Sequence, residues 1–269
     1  MSPRSIEPFF FGPDEQRLFG VYHRPAVQLK VPAGAVLCYP VLQEYLRSHR
    51  AFLRLASQLA SRGWHVMRFD YSGCGDSYGD GPSDPGAWAR DVQVAAHELR
   101  ERFKVRRFAL IGLRAGASLA ACAASSVQPL SDLVLWDPVD GPEYLTDLRA
   151  FRYAATMSPS ARRLISRLGG SDLGVGLDVG PDIMQAVARL ASSEQLNARA
   201  HRILVLDSQK RDATADLARQ FGAVQGNVTF KSLSERPVWG ERKRNDPNNI
   251  VVPTLSLRAI VDWMNEPVA

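Results

Sequence analysis

Phe108-Ala109-Leu110-Ile111-Gly112-Leu113-Arg114-Ala115-Gly116-Ala117 is the stretch that decides the fold. Its opening apolar run has no polar interruption, as a strand buried on both faces should. Gly112 and Gly116 then flank a sharp turn in which backbone meets backbone, leaving no room for a Cβ at either flank. From Ala115 to Ser126 small residues dominate, so the helix that follows can approach a sheet closely. Residue 114 stands at the turn between them, and it is an arginine.

The pattern on either side agrees. Ile6 to Phe11 and Leu18 to His23 are separated by the turn-forming Gly12-Pro13-Asp14-Glu15 and read as an antiparallel hairpin. Ala35 to Tyr39, Val66 to Phe69, Phe108 to Ile111, Leu133 to Trp136 and Ile203 to Leu206 are near-continuous apolar runs, with Val228 to Leu233 as the last strand. Between them, Arg47 to Arg62 places Phe52, Leu55 and Leu59 at helical spacing before Gly63. Trp88, Val92, Ala96, Leu99 and Phe103 form one apolar stripe on a helix of roughly four turns. Leu255 to Met264 reads as a closing helix. Strands alternating with helices predict an α/β chain with a mostly parallel central sheet flanked by helices.

One segment departs from the alternation. Residues from about 141 to 200 carry amphipathic stretches, Ala161 to Leu168 and Ile183 to Leu190, around the glycine-rich Gly169 to Gly176. A helical lid inserted into a single domain spanning 1–269 is the simplest account. The glycines suit a hinge better than a phosphate loop, because no strand precedes them and no lysine follows in the Walker pattern.

Composition bounds the function. Of the 269 residues 45% are hydrophobic and 23% charged, which describes an ordinary globular protein. No run approaches the roughly 18 apolar residues of a membrane span, and Met1-Ser2-Pro3-Arg4-Ser5 lacks a signal-peptide core, so a cytoplasmic location is expected. Cys38, Cys74 and Cys122 form neither an even disulfide framework nor a CxxC pair. Neither metal nor cofactor is expected. The net charge of +5 suits an anionic partner or an arginine-rich solvated surface. Arg242-Lys243-Arg244 has no interleaved aromatics and reads as surface, so no nucleic-acid partner is expected. Oligomeric state is not legible.

With these residues in view, Gly112 to Gly116 has the form of a nucleophile elbow from which the nucleophile is missing. The chain resembles the α/β-hydrolase superfamily over nearly its whole length. Phe69-Asp70-Tyr71-Ser72-Gly73-Cys74-Gly75-Asp76-Ser77 is similar to the FDxRGxGxS loop of serine-aminopeptidase-like and lipase-like members, with Cys74 where those relatives often have histidine. Gly112 to Ala117, Leu133-Val134-Leu135-Trp136-Asp137-Pro138-Val139 and Pro237-Val238-Trp239 resemble the exosortase A system-associated hydrolases of the second type, which also tend to carry arginine at the elbow. The resemblance implies an α/β-hydrolase fold, carboxylic ester or thioester hydrolysis or acyl transfer on an anionic acyl substrate, and a setting in surface-polymer or protein-sorting gene clusters. The alternative is a catalytically inactive pseudo-hydrolase that binds an acidic small molecule or a protein partner.

In that fold the chain order is nucleophile, acid, histidine. Asp212, in the loop Asp207-Ser208-Gln209-Lys210-Arg211-Asp212, stands at the usual distance for the acid, and equally suits the N-cap of a helix beginning near Thr214. The histidine is missing: His23, His49, His65, His97 and His201 all precede the last strand, and Pro247-Asn248-Asn249 occupies the expected loop. Arg114, at a helix N-terminus that already favours anions, is expected to hold a carboxylate or phosphate between its neighbours Leu113 and Ala115. The competing role is an internal salt bridge with Asp70, Asp137, Asp212 or Glu44. Tyr39 and Glu44, in the loop Tyr39-Pro40-Val41-Leu42-Gln43-Glu44, would wall the pocket, with Arg47 and His49 on a solvated helix start. Cys74 is the one alternative nucleophile, its pKa lowered by a nearby Arg114, or else an inert packing residue.

Overall fold

A computed structural model describes residues 5–80, 85–147, 187–189, 198–239 and 252–267. Its centre is one eight-stranded sheet of order β1-β2-β4-β3-β5-β6-β7-β8. The strands are β1 (Ile6–Phe11), β2 (Leu18–His23), β3 (Ala33–Cys38), β4 (Trp64–Phe69), β5 (Arg107–Leu113), β6 (Asp132–Trp136), β7 (Arg202–Asp207) and β8 (Val228–Ser232). The hairpin β1-β2 is antiparallel and joins β4 antiparallel, while β4, β3, β5, β6, β7 and β8 run parallel. Every residue of β3 and β6 is buried, and apart from Asp132 neither strand carries a charged side chain.

Among the described residues the helices that flank the sheet are α1 (Gln43–Ser61), α2 (Pro85–Phe103), α3 (Ala115–Ala124), α4 (Asp212–Gln225) and α5 (Thr254–Asn265). Residues 141–147 are also helical. The connection from β3 to β4 steps one way along the sheet and that from β4 to β5 steps back over β3. Right-handed crossovers therefore put α1 and α2 on opposite faces. The packing follows suit, with α1 against α5 and α2 against α3. The reversal places a topological switch point between the carboxyl ends of β3 and β5, the usual ligand position in such sheets. This is the α/β-hydrolase fold.

Two helices start earlier than their periodicity predicts. Leu42, at φ 57°, turns the chain so sharply after β3 that α1 begins at Gln43 rather than Arg47, carrying Glu44 into its first turn. Helix α2 starts at Pro85, whose missing N–H costs nothing at a first helical position. Of the expected lid over 141–200, the stretches Ala161 to Leu168 and Gly169 to Gly176 lie outside the described residues, as do Arg242 to Arg244 and Pro247 to Asn249. Residues 187 and 188, within Ile183 to Leu190, are helical and press on Gly141. No helix among the described residues is long and apolar enough to cross a membrane.

The elbow glycines are fixed by contact. A Cβ at Gly112 would lie 2.2 Å from the Gly116 carbonyl oxygen, and one at Gly116 would lie 2.3 Å from both the Cys38 and Tyr39 oxygens. These neighbours are backbone and cannot rotate away. Gly116→Ala should therefore cost at least about 3 kcal/mol in urea unfolding. The exposed Gly222 in α4 has nothing within 4 Å of an added Cβ, so Gly222→Ala should be neutral or stabilising by up to about 1 kcal/mol. Equal effects at the two sites would refute the packing argument.

Candidate functional site

Arg114 lies between β5 and α3 at φ 56°, ψ −124°, a backbone region costing a non-glycine residue about 1–3 kcal/mol. The turn is held on both sides. Arg114 N–H donates to the Trp136 carbonyl at 2.9 Å, and the Arg114 carbonyl accepts from Ala117 N–H at 2.9 Å. Leu42 after β3 and Asp137 after β6 also have positive φ, so the loops on either side of the elbow are sharply turned too.

The guanidinium is fully buried. Its Nε donates to Glu44 Oε1 at 3.3 Å and its Nη2 pairs with Asp147 Oδ2 on the helical segment 141–147. The Trp239 ring lies 3.9 Å from the guanidinium carbon and the Tyr144 ring 5.8 Å, a cation–π arrangement that strengthens away from water. Trp239 is itself pinned twice: its Nε1 donates to Asp137 Oδ2 at 3.2 Å, and its carbonyl accepts from Arg47 Nη1 at 3.1 Å. Asp137 also accepts from Ser208 N at 2.7 Å and Ser208 Oγ at 2.6 Å. Tyr144 Oη donates to the Val41 carbonyl at 2.8 Å. Two buried atoms of the central pair, Arg114 Nη1 and Glu44 Oε2, have no hydrogen-bond partner among the described residues.

Burial dominates the electrostatics. It pushes the Glu44 carboxyl up to about 7, against the opposing pull of Arg114 and Arg47. Burial also works against the Arg114 charge, but the Glu44 and Asp147 carboxylates outweigh it and hold the guanidinium above its ordinary value. The site therefore keeps a permanent cation beside a carboxyl that titrates near neutrality.

The structure sorts the candidate residues. Arg114 and Glu44 meet, and the partner the sequence did not suggest is Asp147. Leu113 and Ala115 flank the guanidinium in the chain but are buried in the core. Tyr39 is buried with its hydroxyl accepting from Arg68 Nη1 at 2.8 Å and its ring stacked 4.3 Å from Phe52, so its side chain is committed to the core. Asp70 accepts from Tyr45 Oη at 2.6 Å instead of pairing with Arg114. Asp212 is exposed in the first turn of α4, where Arg211 takes the cap position. Arg47 is tied to Trp239 rather than solvated.

Cys74 lies in the loop after β4. Its thiol is raised to about 12, by burial first and then by the Asp70 and Asp91 carboxylates. Arg114 does not activate it. The histidines make other contacts or face water: His23 accepts from Arg68 Nε at 2.9 Å, His65 pairs with Tyr22 Oη at 2.8 Å, His49 stacks against Tyr39, and His97 and His201 are exposed. Among the described residues no cluster of three or more His, Cys, Asp or Glu could hold a metal ion.

No protein-family model matches this chain, and no curated protein sequence is similar to it. Solved structures are. An esterase of Pyrococcus furiosus superposes with TM-score 0.68 at 14% identity, covering 98% of this chain and 92% of its own. A thermostable carboxyl esterase of Bacillus coagulans in complex with glycerol gives 0.66 at 12%, covering 99% and 100%. A serine hydrolase without a lid from Xanthomonas campestris gives 0.59 at 16%, covering 98% and 94%. At such identities the likeness is one of fold, and the chain spans the full architecture of these enzymes.

The Glu44 shift has a sign that can be measured. A folded-state value of about 7 against an ordinary 4.5 means the folded protein holds a proton that the unfolded chain releases. The stability linked to this group is therefore complete below the unfolded value and is lost as pH rises through the folded one. Glu44→Gln, which cannot ionise, should reduce the fall in unfolding free energy between pH 4.5 and pH 8 by on the order of 2 kcal/mol. Identical pH slopes for the two proteins would show that Glu44 titrates normally.

Proposed function

We propose that this chain is a catalytically silent binding protein on the α/β-hydrolase fold, receiving the acid group of a small molecule at Arg114. One observation carries the reading: the nucleophile position is filled by a fully buried guanidinium held by Glu44, Asp147 and the Trp239 ring. A guanidinium that is always charged has no lone pair with which to attack a carbonyl. The remaining parts of a hydrolase argue the same way. Asp212 is exposed in the first turn of α4, and burial raises the Cys74 thiol well away from the reactive thiolate. What the fold retains is an anion-favouring helix N-terminus at the topological switch point of the sheet.

The resemblance to exosortase A system-associated hydrolases adds a setting in surface-polymer or protein-sorting gene clusters. The rival reading, hydrolysis or transfer of an ester- or thioester-linked acyl group, is favoured by the likeness to esterases. A panel of p-nitrophenyl esters and acyl thioesters separates the two. No turnover above background is expected, and Arg114→Ser should add none, because a restored hydroxyl would have no imidazole to take its proton. Turnover in the wild-type protein that a change at Arg114 abolishes would overturn the proposal, and loss on Cys74→Ser would assign the chemistry to the thiol.

A further inference from the structure

Arg114 is fully buried and the Glu44 side chain is 5% exposed, but the Asp147 side chain is 41% exposed. Of these three charged groups, Asp147 is the one substantially open to water. It engages the guanidinium through a single oxygen, on Nη2, although the terminal edge of a guanidinium offers two parallel donors to a carboxylate. The second donor, Nη1, is buried and unpartnered among the described residues. Asp147 is therefore a one-pronged occupant of a two-pronged seat. The Trp239 ring over the guanidinium, anchored through Asp137 and Arg47, gives the seat an apolar wall already in position.

We propose that Asp147 is an internal stand-in for the carboxylate of a small aryl or acyl carboxylic acid, which displaces it and binds both Nη1 and Nη2 of Arg114 against the Trp239 ring. This rests on the binding reading above and names its ligand class. A singly charged carboxylate fits better than a phosphate dianion, because Glu44 already holds the guanidinium at Nε and Asp137 bonds to the Trp239 ring that covers it. Each added negative charge beside these carboxylates works against binding. The exchange leaves Glu44 on Nε and the elbow backbone unmoved. The displaced Asp147 passes wholly to water, which a side chain already partly exposed can do without breaking the core.

Isothermal titration with benzoate and hexanoate tests this, with phenyl phosphate as the phosphate arm. Removing an internal competitor raises apparent affinity by the reciprocal of the fraction of time the seat was free. Asp147→Asn should therefore bind benzoate and hexanoate about tenfold or more tightly than wild type, within the usual range of such couplings. Phenyl phosphate should bind more weakly than benzoate to both proteins. Arg114→Lys, which keeps the charge but loses the fork, should weaken binding, and Arg114→Ala should abolish it. Asp147→Ala and Asp147→Ser are run in parallel, and any variant that keeps the wild-type circular dichroism spectrum decides. Unchanged or weaker benzoate binding in that variant overturns the exchange, and a preference for phenyl phosphate overturns the carboxylate assignment. Benzoate binding that survives Arg114→Ala instead removes the arginine seat, and with it the binding reading itself.

Discussion

A fully buried guanidinium has to be paired, and that requirement organises the carboxyl edge of this sheet. Removing a charge from water costs several kcal/mol even after the protein relaxes. Arg114 meets that cost with partners drawn from three separate parts of the chain. Glu44 comes from the first turn of α1, Asp147 from the segment after β6, and the Trp239 ring from the stretch after β8. Each is positioned by something else: Glu44 by the sharp turn at Leu42, Trp239 by Asp137 and Arg47, and the 141–147 segment by Tyr144 bonding to Val41. The loops that shape a substrate pocket in an esterase are thus tied here to one cation.

The opposite edge of the same sheet shows the mirror arrangement. Asp132, fully buried at the start of β6, accepts from Arg107 Nε at 2.9 Å and Arg202 Nη2 at 2.6 Å. Those guanidinium groups lie over the Trp64 and Trp263 rings, at 4.8 Å and 4.4 Å. There an anion sits between two partly buried cations, which also donate to the Met264 and Trp263 carbonyls. At the elbow a cation sits between two carboxylates, and one of them, Glu44, is driven toward protonation by burial. Only the elbow cluster carries unpartnered buried atoms on both of its central members. The two ends therefore differ in kind, one a closed structural clamp and the other a cluster with donor and acceptor capacity to spare.

Sequence carried the frame far better than the site. The strands were legible because burial on both faces writes itself as an apolar run, and β1 and β2 fall on the same residues in pattern and structure. Gly112 and Gly116 were legible because close backbone approach permits no other residue. The site depended on contacts between residues far apart in the chain, which periodicity does not encode. Glu44 pairs with Arg114 across 70 positions, and Asp137 with Trp239 across 102. Asp147 was hidden inside a segment recognised only as an interruption, and Arg47 looked solvated because its carbonyl acceptor belongs to Trp239. The early start of α1 left no signal either, since it follows from the φ of Leu42 and not from any capping side chain.

The strained elbow is in itself no sign of catalysis. In an active hydrolase the same turn lifts a serine toward its base, and the strain is naturally assigned to that task. Here the turn persists with an arginine that cannot act as a nucleophile, at φ 56° and ψ −124°. What maintains it is the approach of Gly116 to the Cys38 and Tyr39 carbonyls and of Gly112 to the Gly116 carbonyl, together with the Arg114 amide bonding to Trp136. These are contacts of backbone with backbone, indifferent to the side chain at position 114. The fold thus fixes where that side chain must stand, and its chemistry alone decides whether the place becomes a nucleophile or an anion seat.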